Sequence, residues 1–292
     1  MLVVDPDRNS VTCEQIRLFC FLYRKKRNTS PKDTLENLHQ INQDLIQNMS
    51  QNIYDQNEFF EKYIQLGRQV KGLDGAPEWP QIEKMLPDLK GLTILDLGCG
   101  LGWFARYAIE RGATFVRAID LSENMLKKAR GMPNNGSIKY ERGDLDELNL
   151  PKEEYDLVFS SLAFHYLANL PGLMQEIGKS LKPTGRLVYS VEHPIRTAPS
   201  NPSFLVHSKG DGKFWVLDDY QKEGPRVTHW VTEGVRKHHR TVETYINMLL
   251  KSGLKLTNLV EWAPTEEELK RFPERVDEYV RPSFLLVGAT KT

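Results

Sequence analysis

Residues 93–102 read Thr-Ile-Leu-Asp-Leu-Gly-Cys-Gly-Leu-Gly, and no other stretch narrows the possible folds of this chain so far. The aliphatic run, broken only by Asp96, is short enough for a buried strand and too short for a buried helix. Glycine tolerates the positive φ angles of a tight turn and lets another group approach the backbone. A helical pattern follows from about Trp103 to Arg111. Strand, glycine turn and helix start together form a general nucleotide-binding device, because a helix N-terminus presents free N–H groups.

The alternation continues downstream. Residues 115–119 predict a second strand ending at Asp120, with Ser122 placed to cap the next helix. Residues 138–142 predict a third strand ending near Asp144, and residues 156–160 a fourth. A helix over 170–181 then meets a turn at Lys182-Pro183-Thr184-Gly185, which leads into a strand over 186–191. Strands joined by helices imply an α/β fold, a doubly wound, mostly parallel sheet with helices on both faces. Ligands of such sheets bind outside the carboxyl ends of the strands. Asp96, Gly98, Gly100, Gly102, Asp120, Asp144 and Ser160 all fall at or near those ends.

At 292 residues the chain suits one large domain with an extension. We divide it into an N-terminal extension over 1–48 and a domain over 49–292, with Met49 as an alternative start. Lys and Arg total 39 and so do Asp and Glu, a balance that gives no electrostatic case for a nucleic-acid partner. Three cysteines, Cys13, Cys20 and Cys99, form no CxxC pair and have no histidine at zinc-ligand spacing. They predict a reduced, cytoplasmic protein with neither a disulfide framework nor a metal site. No apolar run approaches the roughly 20 residues of a membrane span. The apolar stretch at 16–23 precedes its basic cluster, Arg24-Lys25-Lys26-Arg27, the reverse of a signal peptide. A polar N-terminal segment includes one helical pattern, over 34–47.

Dinucleotide sites carry G-x-G-x-x-G, whose third glycine lets helix and strand pack closely. Here the spacing is G-x-G-x-G, and Trp103 occupies the third-glycine position. That argues against a nicotinamide-dependent oxidoreductase. The stretch 94–102 instead resembles the signature of class I S-adenosylmethionine-dependent methyltransferases. Ala118-Ile119-Asp120-Leu121-Ser122, Gly143-Asp144-Leu145, Asp156-Leu157-Val158-Phe159-Ser160-Ser161 and Leu181-Lys182-Pro183-Thr184-Gly185 resemble later motifs of that family, in order. The likeness is nearest to the small-molecule branch that includes ubiquinone and menaquinone biosynthesis methyltransferases.

This resemblance implies a Rossmann-like sheet of seven strands whose last strand, near 282–288, runs antiparallel. It implies S-adenosylmethionine as cofactor, with Gly98, Gly100 and Gly102 facing its methionine part and Asp96 near its ammonium. Asp120 would hold the ribose diol, with Leu121 beside the adenine. Asp144 would accept from the adenine amino group, and Leu145 would lie at the ring edge. Ser160 or Ser161 would lie by the methionine or the methyl. Tyr63 and Arg68, from an aromatic N-terminal helix, would cover the cofactor and pair with its carboxylate.

Methyl transfer from a sulfonium needs a placed, desolvated nucleophile and sometimes a base. His165 follows the fourth strand and His193 the fifth, and either is a candidate base or substrate contact. The adjacent His238-His239 pair points apart and makes a poor metal site. The insertion over 195–238 contains Phe204, Phe214, Trp215, Tyr220 and Trp230. Connections this long usually serve a function, and we read it as a substrate lid, with an oligomer contact as the alternative. Tyr166, Trp215 and Tyr220 are candidate contacts to an aromatic or apolar small-molecule acceptor. A catalytically silent binding subunit would keep the same fold, but it would be free to lose Asp120 and Asp144.

Overall fold

The computed structural model describes residues 50–133, 136–206 and 212–292. The helical pattern over 34–47, the apolar stretch at 16–23 and the alternative start at Met49 lie outside them.

Three short helices come first: α1 (Asn57–Tyr63), α2 (Gly67–Lys71) and α3 (Trp79–Met85). The alternating series follows: β1 (Thr93–Leu97), α4 (Trp103–Glu110), β2 (Phe115–Asp120), α5 (Glu123–Arg130), β3 (Ile138–Arg142), β4 (Tyr155–Ser161), α6 (Leu170–Ser180) and β5 (Leu181–Glu192). The expected insertion holds α7 (Pro194–Thr197) and two hairpins, β6 (Phe204–Val206) with β7 (Lys213–Trp215) and β8 (Gly224–Trp230) with β9 (Thr232–His239). Then come α8 (Val242–Lys251), β10 (Leu254–Glu261), α9 (Glu266–Arg271) and β11 (Phe284–Lys291).

Seven strands form one sheet in the order β10-β11-β5-β4-β1-β2-β3. β1 pairs in parallel with β2 and β4, and β11 runs antiparallel between β5 and β10. The doubly wound sheet with an antiparallel last strand is therefore present. The turn expected at 182–185 is absorbed into β5 as an irregularity: Tyr155 pairs with Leu181, but Leu157 pairs with Arg186. Thr184 takes a left-handed φ of 63° there, which lets the extra residues loop out without ending the strand.

Alternate residues of each strand feed opposite faces, as a period of two requires. Leu95, Leu97, Val158 and Leu187 join Leu173, Met174, Ile177, Met248 and Leu249 from α6 and α8. Ile94, Leu157, Phe159 and Val188 join Trp79, Ile82, Phe104 and Ala108 from α3 and α4. Because both faces are covered, the strands read as nearly continuous apolar runs. Among the described residues no helix is long and apolar enough to cross a membrane.

Candidate active site

The carboxyl ends of β1, β2, β4 and β5 open into one cleft. Its floor is the turn after β1. Gly98, Gly100 and Gly102 have φ angles of 72°, 53° and 71°, a region costly for any residue with a Cβ. Two of the three are also crowded. A Cβ on Gly98 would lie 2.3 Å from the Cβ of Ala163, and one on Gly102 2.3 Å from the hydroxyl of Tyr140. Gly100 differs, because a Cβ there would meet nothing within 4 Å. The space beside Gly100 is the cleft itself, so this bare backbone is open to a ligand.

Asp120, at the end of β2, ties the turn to the next helix. Its Oδ2 accepts from the Gly100 N–H at 2.8 Å and its Oδ1 from the Ser122 N–H at 2.9 Å. Burial nevertheless raises its carboxyl above the ordinary value. Ser122 caps α5 by accepting from the Met125 N–H at 3.1 Å. Asp96 is the more unusual group. It lines the cleft, is 2% exposed, and its Oδ2 has no hydrogen-bond partner among the described residues. Burial, then the charge of Asp120, pushes its carboxyl up to about 8. An ionised carboxylate buried without a counter-charge costs several kcal/mol, so an ammonium group arriving here would be held strongly. A turn bare at Gly100 beside an unpartnered carboxyl fits the methionine part of S-adenosylmethionine.

Trp103, in the place of a third dinucleotide glycine, is accommodated from outside the sheet. Its ring lies against Gly72, where a Cβ would come within 2.7 Å, and the Arg106 guanidinium lies 4.6 Å from the ring centre. The indole thus closes one wall of the cleft.

The opposite wall follows β4. Leu162 takes a φ of 54°, a strained choice for leucine of the kind that gathers at ligand sites. Its N–H donates to the Ser190 carbonyl at 2.9 Å, and the bend sets Ala163 against Gly98. His165 and Tyr166 follow in a 3-10 turn (Phe164–Tyr166). Burial drives the His165 imidazole down to about 3, so the ring is neutral. Aromatic rings close this end: Tyr54 lies 4.9 Å from Tyr63 and 6.0 Å from Tyr166, and Tyr63 lies 5.7 Å from Trp230.

Of the residues expected from sequence, the cleft brings together Tyr63, Arg68, Asp96, Gly98, Gly100, Asp120, Ser161, His165 and Tyr166. Arg68 arrives already paired, its guanidinium 2.6 and 2.8 Å from the buried Glu78 carboxylate. The remaining expected residues do not line it. Ser160 is fully buried and ties β4 to β1 by donating to the Leu97 carbonyl at 2.8 Å. Leu145 belongs to the core, and the Leu121 carbonyl accepts from Arg142 at 3.2 Å. Asp144 Oδ1 accepts from the Ser50 hydroxyl at 2.8 Å and from the Asp146 N–H at 3.0 Å. His193 caps α7, accepting from the Ile195 N–H at 3.1 Å, while its Nε2 lies 2.9 Å from Glu261. Trp215 donates to the Ile195 carbonyl at 2.8 Å, and the Tyr220 hydroxyl accepts from the Val242 N–H at 3.3 Å. Trp215 thus holds the insertion to itself, and Tyr220 ties it to the start of α8.

Sequence reasoning missed Tyr54 and Glu192 as lining residues, and Lys237 behind them. Lys237 Nζ lies 2.7 and 2.8 Å from the two oxygens of Glu192, and both residues are buried. Glu192 could have been flagged as an acidic residue at the carboxyl end of a central strand. Nothing local marks Lys237.

Residues 95–189 match the family model described as a methyltransferase domain. An S-adenosylmethionine dependent methyltransferase structure from Mesorhizobium loti is 47% identical, with a TM-score of 0.73, over 75% of this chain and 100% of that one. An uncharacterised protein of Haemophilus influenzae is 32% identical over 82% of this chain and 96% of its own length. A malonyl-[acyl-carrier protein] O-methyltransferase of Erwinia pyrifoliae is 36% identical over only 34% of this chain and 37% of its own length. The chain belongs to the S-adenosylmethionine-dependent methyltransferases. It is an enzyme, and its cofactor is S-adenosylmethionine.

Proposed function

We propose that this enzyme methylates a small molecule held at the aromatic end of the cleft, with the donor bound along the glycine turn. The observation that carries the reading is Asp96, a buried carboxyl with one oxygen unpartnered beside the open backbone of Gly100. Bound, S-adenosylmethionine supplies an electrophilic methyl group on a sulfonium sulfur. Asp96 would hold its ammonium, and Gly98 and Gly100 would lie along its methionine part, with Gly102 shaping the turn. Asp120 would take the ribose hydroxyls. Leu121, Asp144 and Leu145, which follow β2 and β3 outside the cleft's lining, would meet the adenine at the cleft's edge, Asp144 through the Oδ2 left over from its bonds to Ser50 and Asp146. Tyr63 and Arg68 would cover the carboxylate end, and Ser161, backed by Ser160, would face the methyl.

The rings of Tyr54, Tyr63, Tyr166 and Trp230 exclude water from the acceptor and present π-faces to positive charge, each contact stabilising by roughly 0.5–2 kcal/mol. Trp230 comes from the insertion over 195–238, which supports a lid role for its second hairpin. An aromatic or apolar acceptor suits these walls. A cytoplasmic setting is part of the same reading and rests on the sequence's three cysteines, which form no CxxC pair.

Calorimetric titration tests the assignment. S-adenosylmethionine and S-adenosylhomocysteine should bind, NADH should not, and Asp120→Ala should weaken both by roughly tenfold or more, the worth of a lost charge-assisted hydrogen bond. Well-folded protein that binds neither nucleoside would overturn the site assignment.

A further inference from the structure

His165 is 2% exposed and lines the cleft. Its Nδ1 accepts the backbone N–H of Glu192 at 3.3 Å. A ring nitrogen that accepts carries no proton, so the neutral imidazole keeps its proton on Nε2. Nε2 has no partner among the described residues, yet it is not one of the buried atoms sealed from solvent. The surface it retains opens into the cleft that the residue lines. Tyr166, whose ring centre lies 4.4 Å from that of His165, offers a second donor. Its hydroxyl oxygen accepts from Tyr54 at 3.1 Å, which leaves its own proton free.

The surroundings have a sign. Among its charged neighbours His165 feels Glu192 on β5 first, then Lys237 on β9, Arg196 on α7 and Arg240 just after β9. Both Glu192 oxygens are taken by Lys237, with Arg196 Nε 3.8 Å away. Arg240 is committed to the carbonyls of Leu167 and Ala168 at 2.7 and 3.0 Å. Tyr54, Tyr63 and Tyr166, the tyrosines at this end, are all raised above their ordinary value by burial and stay neutral. With Lys237 neutralising Glu192, Arg196 and Arg240 leave the charge nearest His165 positive, while the cleft's other carboxyls, Asp96 and Asp120, stand toward the glycine turn, so a negative ligand is favoured at the His165 end.

We infer that the acceptor end of the cleft binds an oxyanion, with a carboxylate as the simplest case, gripped by the His165 Nε2–H and the Tyr166 hydroxyl. The inference rests on reading this end as the acceptor site. In it His165 is a donor and not a base, because its one lone pair is spent on Glu192. An anionic oxygen has no proton to lose before it reacts, which matches a site that offers no free base.

The test uses the full chain labelled with 15N in its histidines, with His165→Asn assigning the ring signal. The expected result is an Nε2–H tautomer that does not titrate between about pH 5.5 and pH 8. Formate should shift that signal saturably while methylammonium leaves it unmoved, and Tyr166→Phe should weaken formate by about tenfold. An Nδ1–H tautomer, titration inside that range, a response to methylammonium alone, or silence toward both ions would each overturn the inference. The readout needs no cofactor. Failure of S-adenosylhomocysteine to bind would count against the methyl-donor assignment and leave the formate result to stand or fall alone.

Discussion

Burial and the nearby Asp120 hold the Asp96 carboxyl up at about 8, while the same group in the unfolded chain titrates near about 4. Between those values the folded protein binds more protons than the unfolded one. Stability contributed by this group is therefore complete below about pH 4, and it falls as pH rises toward 8. In ligand-free protein, Asp96→Asn should flatten that decline, as thermal unfolding at pH 5 and pH 8 would show. A pH dependence unchanged by the substitution would mean that Asp96 is solvated. The same proton has a second signature. An ammonium bound beside Asp96 favours the carboxylate, so cofactor binding at neutral pH should release up to about one proton. Calorimetry in buffers of differing ionisation enthalpy reads this directly, and the release should vanish in Asp96→Asn.

At the scale of elements, the second hairpin is pinned to the sheet by one buried ion pair. Lys237 on β9 meets Glu192 at the end of β5. Burial alone would raise Glu192, yet Lys237, His165 and Arg196 hold its carboxyl down to about 2. Removing one partner leaves the other charged and unpaired, a loss on the order of 3–5 kcal/mol. Lys237→Met should destabilise by that order in urea unfolding, and Lys237→Met with Glu192→Gln should recover much of it. Equal losses in the single and double variants would sink the idea that the pair is coupled. This pair also marks where reading the sequence stops. The strands, the glycine turn and the acidic strand ends were legible because each is a local pattern whose physical meaning travels with it: Asp96, Asp120 and Ser122 each announce a strand end or a helix start. Lys237 lies 45 positions from Glu192, and only the hairpin's path joins them. Trp215, Tyr220 and His193 show the opposite case, because they do not line the cleft. Their residue types suggested substrate contacts, but residue type does not encode which way a side chain turns. Backbone partners and Glu261 claimed them.

For the whole molecule, the segment just before α1 acts as a strap across the cleft side. Asp55 accepts from the Ser122 hydroxyl at 2.6 Å, the Asn124 N–H at 3.0 Å and the Glu123 N–H at 3.3 Å, so a residue far away in sequence caps α5. Ser50 reaches Asp144 and Asp146 at 2.8 and 2.9 Å. Gln51 donates to the Gly234 carbonyl and accepts from the Arg236 N–H, both at 2.9 Å. Three separate regions are thereby drawn together over Tyr54. Asp55→Ala should cost about 1–2 kcal/mol, the worth of a helix cap, and should speed amide exchange across residues 50–55. Exchange left as slow as in the parent chain would show that the strap is held by something else.

The groups assigned to the methyl donor come mainly from residues 96–161, along consecutive strand ends, whereas the acceptor end draws on Tyr54, His165, Glu192, Trp230 and the Lys237 behind them. On the reading proposed above, donor and acceptor chemistry are written in largely separate passages of the chain. On that reading, substitutions in the second hairpin would alter the acceptor end and leave the strand ends around the donor untouched.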